Sequence, residues 1–380
     1  MTLTIQANRT SSLKSLEIKE RPQVAYIYCE GNFKSLDGKT AHGLLRQSDE
    51  FKIKAIIDSE SAGLDSGMVL NGIKNNIPIV ANLTEAINLK GCKANNFIYG
   101  MAPANGLYSI GDRSVILDAL SAGLNIISGM REFLSDEAEF ALMAASHNAI
   151  IKDVRRPPEL KDLRLFNGSI DTVKCIRIAI LGTDGAIGKR TTATLMVQAL
   201  NQKGITTVLI STGQTGLMQG GRYGVALDAI PSQFCSGEVE AAIVKAYNAE
   251  KPKVIIIEGQ GALSHPAYLS SGFILRGSKP HAVVLQHAPK RKNLSDFPFM
   301  AMPTPGSEIK LIEAFAETAV IGITINHEEM DDNEVSLVIS SYEAEYKIPV
   351  TDAVSREPEA LVAMVLKAFP ELHGCLSNNF

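Results

Sequence analysis

The residues best suited to chemistry are gathered in one run, Gly182-Thr183-Asp184-Gly185-Ala186-Ile187-Gly188-Lys189-Arg190-Thr191-Thr192. Glycines let consecutive main-chain N–H groups turn inward around phosphate oxygens. A helix starting at such a turn adds the positive end of its dipole, and Lys189 adds a point charge. The apolar stretch Ile178-Ala-Ile-Leu181 before the run and Ala193, Leu195 and Met196 after it give the strand–turn–helix setting of a Walker-type P-loop. The match is not standard. The glycines stand one residue further apart than in G-x-x-x-x-G-K-[ST], and Arg190 follows the lysine where a hydroxyl normally holds Mg²⁺. A guanidinium binds phosphate oxygens in a bidentate fork and cannot ligate a cation, which leaves Thr191 as the next candidate to reach a metal. The loop is therefore expected to hold a diphosphate without Mg²⁺. That suits acetyl-CoA as the cofactor, with ATP plus Mg²⁺ as the alternative. No His/Cys/carboxylate cluster has zinc spacing, and no protein-bound metal is expected.

In open parallel sheets, ligands sit at the carboxyl ends of strands, so the residues after each later strand are the next candidates. Thr212-Gly-Gln214-Thr-Gly216 continues into a flexible, amide-rich stretch ending at Gly221. Four apolar residues run into Glu258-Gly-Gln260-Gly261 and then His265-Pro266, resembling a Walker B strand. Glu258 and His265 are the candidates to take a proton from an amine. Backbone N–H groups near Gly213–Gly216 or Gly259–Gly261 are candidates to steady an oxyanion. Gln286-His287-Ala-Pro-Lys290-Arg291-Lys292 brings three adjacent cations beside the loop, as either a solvated face or a seat for a further phosphate such as the 3′-phosphate of CoA. Asn326 and Asp352 follow the last strands, where each can meet a ligand or cap a turn.

These residues need a scaffold, and the hydrophobic pattern supplies one twice. Short β-branched runs at Val24–Tyr28, Ile53–Ile57, Ile77–Ala81, Asn96–Tyr99, Asn125–Ser128 and Ala149–Lys152 alternate with helical segments such as Lys39–Arg46, Arg113–Ala122 and Asp136–Ser146. Asp153-Val-Arg155-Arg-Pro-Pro158 breaks the pattern, since two prolines continue neither helix nor central strand. A second alternation has strands at Cys175–Leu181, Thr206–Ser211, Val254–Ile257, Ala282–Leu285, Val320–Ile325 and Ile348–Thr351, with helices between. The prediction is α/β: two parallel-sheet domains, a Rossmann-like one at 1–158 and a P-loop NTPase-like one at 175–380, joined by a linker at 159–174. The first domain lacks G-x-G-x-x-G after its first strand, where Cys29-Glu-Gly-Asn-Phe33 stands. Asp58 is left without a dinucleotide to read. Lys39–Arg46, Gly100–Gly106 and Ser128-Gly-Met-Arg131 are loops or helix starts at strand ends, placed to meet a second substrate across a cleft.

The 380 residues carry a net charge of −4, with 45% hydrophobic and 21% charged side chains. That is ordinary globular composition and gives no electrostatic reason for a nucleic-acid partner. No apolar run approaches the roughly 18–20 residues of a membrane span, and the first residues lack a signal-peptide core. Five widely spaced cysteines read as reduced thiols. A cytoplasmic protein acting on a small molecule is expected. Apolar helices on both domains leave a homo-oligomer open.

The chain resembles the D-glutamate N-acetyltransferase-like family, long carried as a domain of unknown function, which joins a Rossmann-like domain to a P-loop domain. The resemblance rests on Asp153–Pro158, Gly182-Thr-Asp-Gly-Ala-Ile-Gly-Lys189, Thr212–Gly216, Glu258–Gly261 with His265-Pro266, and His287-Ala-Pro-Lys-Arg291. The P-loop is also similar to that of dethiobiotin synthetase. What the resemblance implies is transfer of an acetyl group from acetyl-CoA to the amine of a small amino acid. The carrier would lie along Gly182–Thr192 with its diphosphate on Gly185–Thr192, and Gln214, Gln260, His287 and Arg291 would stand around it. Arg131 and Arg155 would hold the acceptor's carboxylates. Gly188-Lys-Arg-Thr-Thr192 looks like a branch distinct from the one that acetylates D-glutamate, where Ser128–Arg131 would read Ser-Gly-Leu-His, so the acceptor stays open. Two other readings remain: an ATP- and Mg²⁺-dependent ligase or kinase, and a nucleotide-binding regulator without turnover.

Overall fold

The computed structural model describes residues 23–376 apart from Cys92 and Ala104. The N-terminal stretch read above for a signal peptide lies outside the described residues, as does Cys92. The first domain runs β1 Gln23–Tyr28, α1 Lys39–Arg46, β2 Phe51–Ile57, α2 Ser66–Asn71, β3 Ile79–Val80, α3 Leu83–Asn88, β4 Asn96–Tyr99, α4 Ile110–Ser121, β5 Asn125–Ser128, α5 Ala138–Ser146 and β6 Ile151–Asp153. Its six strands are parallel in the order β3-β2-β1-β4-β5-β6. The chain winds outward from β1 in one direction and then in the other, so the switch point lies between β1 and β4.

The second domain runs β7 Ile176–Gly182, α6 Lys189–Gln202, β8 Thr207–Ile210, α7 Gln214–Met218, α8 Ser232–Glu250, β9 Val254–Glu258, α9 Ser270–Ser278, β10 Ala282–His287, α10 Pro305–Ala316, β11 Ala319–Ile325, α11 Asp332–Tyr346, β12 Val350–Asp352 and α12 Glu359–Ala368. These strands are also parallel, in the order β12-β11-β10-β7-β9-β8. The strand that leads into the glycine-rich loop is therefore central. Successive side chains of β7 alternate between two cores. Ile178 and Ile180 pack with Ala193, Met196 and Leu200 of α6 and Leu361 and Val365 of α12. Ala179 and Leu181 pack with Val239 and Ile243 of α8 and Ile274 of α9. A strand covered on both faces reads as a continuous apolar run, which is why β7 was legible.

The two α/β domains agree with the alternation in the sequence. The short helices α2, α3, α7 and α9 are additional to it. Two of them carry side-chain caps: Asp65 Oδ1 accepts from the amides of Gly67 and Met68, and Asn82 Oδ1 accepts from Glu85 N. The segment between the domains forms 3₁₀ turns at Leu160–Asp162 and Ser169–Thr172 and docks on α8. Glu238 Oε1 accepts from Arg164 N at 2.7 Å, and Glu240 accepts from Asn167 N at 2.9 Å and Ile170 N at 3.0 Å.

Helix α7 joins the domains. Met218 is fully buried in the core of the first domain. Thr215 Oγ1 lies 3.1 Å from Thr40 Oγ1 of α1. Gln219 Nε2 donates to Gly43 O at 2.7 Å and Gln47 O at 2.8 Å, capping carbonyls at the end of α1. The contact brings the carboxyl edges of both sheets to one cleft.

Candidate active site between the two sheets

The cleft has a volume of about 460 Å³. One wall comes from the first domain: Asp37, Lys39, His42 and Arg46 after β1, Ala102 and Pro103 after β4, Arg131 after β5 and Arg155 after β6. The facing wall is the glycine-rich loop from Gly185 to Thr191, with Gly213–Thr215 after β8 and Glu258–Gly261 after β9. Both switch points thus open on the same space, as expected for a ligand site in doubly wound sheets.

The loop takes its shape from left-handed backbone at Ala186 (φ +47°) and Gly188 (φ +104°). Gly188 is the N-cap of α6 and makes no side-chain cap, so the first amides of α6 are not taken up by one. Gly182, Thr183, Asp184 and Thr192 stand behind the loop and hold it. Thr183 Oγ1 meets His287 Nδ1 at 2.8 Å, and Thr192 Oγ1 donates to Gln286 Oε1 at 2.6 Å. Asp184 is wholly buried; its oxygens accept from Gly185 N at 2.7 Å, Ser295 N at 2.9 Å and Arg291 Nη1 at 3.1 Å. Arg291 also forks onto Glu328 through Nε and Nη2, both at 2.9 Å, so its guanidinium is consumed within the protein. Lys290 pairs with Glu334 of α11, and Lys292 points to solvent. None of the three adjacent cations lines the cleft.

Lys189 is buried and donates to the carbonyl of Asp184. Burial pushes its ammonium down to about 8, with Asp184 and Glu258 working the other way. Arg190 is enclosed by protein yet open to the cleft. Its Nη2 would lie 2.4 Å from a Cβ at Gly43, so the guanidinium rests directly against α1 where that helix has no side chain. Glu258 ends β9 and is buried beneath these cations. Burial raises its pKa against the pull of Arg190, the amides of Thr212 and Gly213, and Lys189. Thr212 N donates to Glu258 Oε2 at 3.1 Å, and Gln260 Nε2 steadies Thr212 Oγ1 at 2.8 Å. A carboxyl raised by burial and held in place beside cations has the chemistry a general base needs.

His265 lies under the rim, stacked on Tyr268 at 4.4 Å, and does not line the cleft. Its Nδ1 accepts from Ala267 N at 3.2 Å and Tyr268 N at 3.3 Å, which puts the ring proton on Nε2, a buried atom with no partner among the described residues. The ring thus offers an N–H rather than a lone pair. Arg131 and Arg155 are brought together by Asp228, at 3.7 and 2.7 Å. Asp228 comes from the second domain and has no counterpart in the sequence reading, because nothing in a lone aspartate on a loop announces its partners. Tyr268 and Asp296, bonded to each other at the rim, were missed for the same reason. Lys39, His42 and Arg46 did carry a signal: spacing of i, i+3 and i+7 puts them on one helix face. Asn326 lines the cleft. Asp352 serves the fold instead, accepting from Val354 N and Ser355 N at 2.8 Å and meeting His327 Nδ1 at 2.7 Å. Asp58 likewise accepts from Gly31 N at 2.8 Å, away from the cleft. No helix among the described residues is long and apolar enough to cross a membrane.

The P-loop domain of a family described as a domain of unknown function, DUF1611, matches residues 164–362, and that family's Rossmann-like N-terminal domain matches residues 59–157. Two curated relatives are named D-glutamate N-acetyltransferase. The one from a Pseudoalteromonas species is 28% identical over 276 residues, 71% of this chain and 81% of its own length. The one from Tritonibacter scottomollicae is 28% identical over 269 residues, 69% of this chain and 78% of its own. The crystal structure of a DUF1611 family protein from Anabaena variabilis superposes with a TM-score of 0.84 at 30% identity, covering 91% of this chain and 99% of that one.

Proposed function

Because the chain belongs to the DUF1611 family, with matches to both its Rossmann-like and P-loop domains, we propose that it is an N-acyltransferase that moves an acetyl group from acetyl-CoA to the amine of a small acidic amino acid. The observation that carries the reading is the meeting of Lys189, Arg190 and Glu258 on one cleft floor. An anion loop, an arginine in the metal-binding position and a carboxyl of raised pKa suit group transfer from a phosphorylated carrier to an amine. The names of the two curated relatives point to the same class.

The cleft fits such a carrier in size, since small-molecule sites run to roughly 300–1,000 Å³. At Gly185 the loop surface is open: a Cβ there would meet only Ser295 Oγ, at 3.6 Å. Bound acetyl-CoA would supply an acyl group activated as a thioester. Gly185–Arg190 hold the diphosphate through main-chain amides and Lys189. Arg131 and Arg155 hold the acceptor's carboxylate, exchanging part of their contact with Asp228 for it. Glu258 takes the proton that the acceptor's amine gives up. His265 carries its proton on Nε2, so it positions Tyr268 and offers an N–H rather than acting as the base.

Thiol release from acetyl-CoA in the presence of D-glutamate, L-glutamate and other acidic amino acids tests the reading. Release that depends on one of these acceptors is expected. Glu258→Gln should slow it by roughly 10²–10⁴-fold while leaving the carrier bound. No thiol release with any acceptor, together with Mg²⁺-dependent ADP release from ATP, would replace the transferase with a ligase or kinase.

A further inference from the structure

We propose that the α1 face bearing Lys39 and Arg46, together with Arg190, is a second phosphate site of the cleft, which takes the 3′-phosphate of the carrier whose diphosphate lies on the P-loop. The inference rests on the reading of that carrier as a coenzyme A thioester.

Three observations lead to it. Lys39, His42 and Arg46 share one face of α1, and all three line the cleft opposite the loop. The face adjoins the start of α6, because Arg190 packs against Gly43 in the same helix. Most importantly, these cations are left over. Among the described residues, Lys39, Arg46 and Arg190 make no ion pair, whereas Arg131, Arg155, Lys290 and Arg291 are all paired with carboxylates. Asp37 and Asp296 are the acids near Lys39, and Glu258 is the acid near Arg190. Arg46 and Arg190 stand within each other's field. Like charges gathered on one wall repel one another, and an anion placed among them relieves that repulsion.

The cations expected from the sequence to hold this phosphate, Lys290, Arg291 and Lys292, are engaged elsewhere or point to solvent, so a carrier's extra charge has its seat on α1. His42 is a spacer: Phe33 O lies 2.7 Å from its Nε2, which must therefore be the donor. The acceptor's arginines come from other strands of the same sheet and, unlike the α1 cations, are paired. Arg131 and Arg155 follow β5 and β6, two and three strands from β1 in the sheet, and both are tied to Asp228, although Arg155 reaches into the field of Lys39.

The test is calorimetric binding of coenzyme A and of 3′-dephospho-coenzyme A, in EDTA, to the wild-type protein and to Lys39→Ala/Arg46→Ala. The wild type should bind coenzyme A about 10- to 100-fold more tightly than the dephospho form, the range expected for charge-assisted hydrogen bonds to one phosphate. The double variant should lose most of that preference, keeping only what Arg190 supplies, and Lys39→Arg/Arg46→Lys should recover it. Equal binding of both ligands by the wild type, or a preference of undiminished size in the double variant, overturns the inference alone. A raised KM for the acceptor with the preference unchanged also overturns it and assigns the face to the acceptor's carboxylate. Failure of the wild type to bind either ligand overturns the carrier reading as well.

Discussion

Lys189 is an ammonium held at about 8 by burial, so its charge is sensitive to pH just where the protein would bind an anion. The charged form binds. Affinity for coenzyme A should therefore be full below pH 8 and fall as pH rises through it. Near pH 8, binding should draw a proton from solution, since the anion favours the ammonium; at pH 6 it should not. Calorimetry in buffers of different ionisation enthalpy measures this uptake, and Lys189→Met should abolish both the uptake and the slope. Lys189 and Glu258 were legible in the sequence because each sits at a fixed offset from an apolar strand end. The linkage of Arg131 and Arg155 through Asp228 was not, because the aspartate reaches them from the other domain across the cleft.

Strands β7 and β10 are stitched beside the loop by Thr183 and His287. Burial first, and Arg291 second, push the His287 imidazole down to about 4. The unfolded chain then carries the extra proton between the ordinary histidine value near 6.5 and about 4. The stability this contributes is present above pH 6.5 and is lost as pH falls through that window. Urea unfolding should show a loss of about 2 kcal/mol between pH 7 and pH 5 from this group, and His287→Gln should flatten it. Elements with strong patterns were read almost to the residue: Lys39–Arg46, Asn96–Tyr99 and Asn125–Ser128 coincide with α1, β4 and β5. Helices α2, α3 and α7 were invisible to periodicity because five or six residues are too few turns for an apolar stripe to show. For α3 the signal lay in its cap, since Asn82-Leu-Thr-Glu85 has the spacing of a capping box.

The molecule works as two sheets whose carboxyl edges share a cleft, and that arrangement depends on α7 and Gln219 reaching into the first domain. Gln219→Ala would leave the carbonyls of Gly43 and Gln47 without their interdomain donor. Thermal unfolding should show a loss of roughly 1–3 kcal/mol. Coenzyme A affinity should fall too, because the α1 wall loses its anchor. Two parallel sheets could be derived from alternation alone. Their mutual placement could not, since it is set by residues such as Met218 and Gly43 that look ordinary in a linear sequence. The central claim is that this cleft seats a carrier's diphosphate on the loop without a metal. The most direct measurement is equilibrium binding of coenzyme A in EDTA to the wild type and to Lys189→Ala, beside ATP with and without Mg²⁺. The account predicts metal-independent binding of coenzyme A that Lys189→Ala weakens; binding of ATP alone, and only with Mg²⁺, would contradict it.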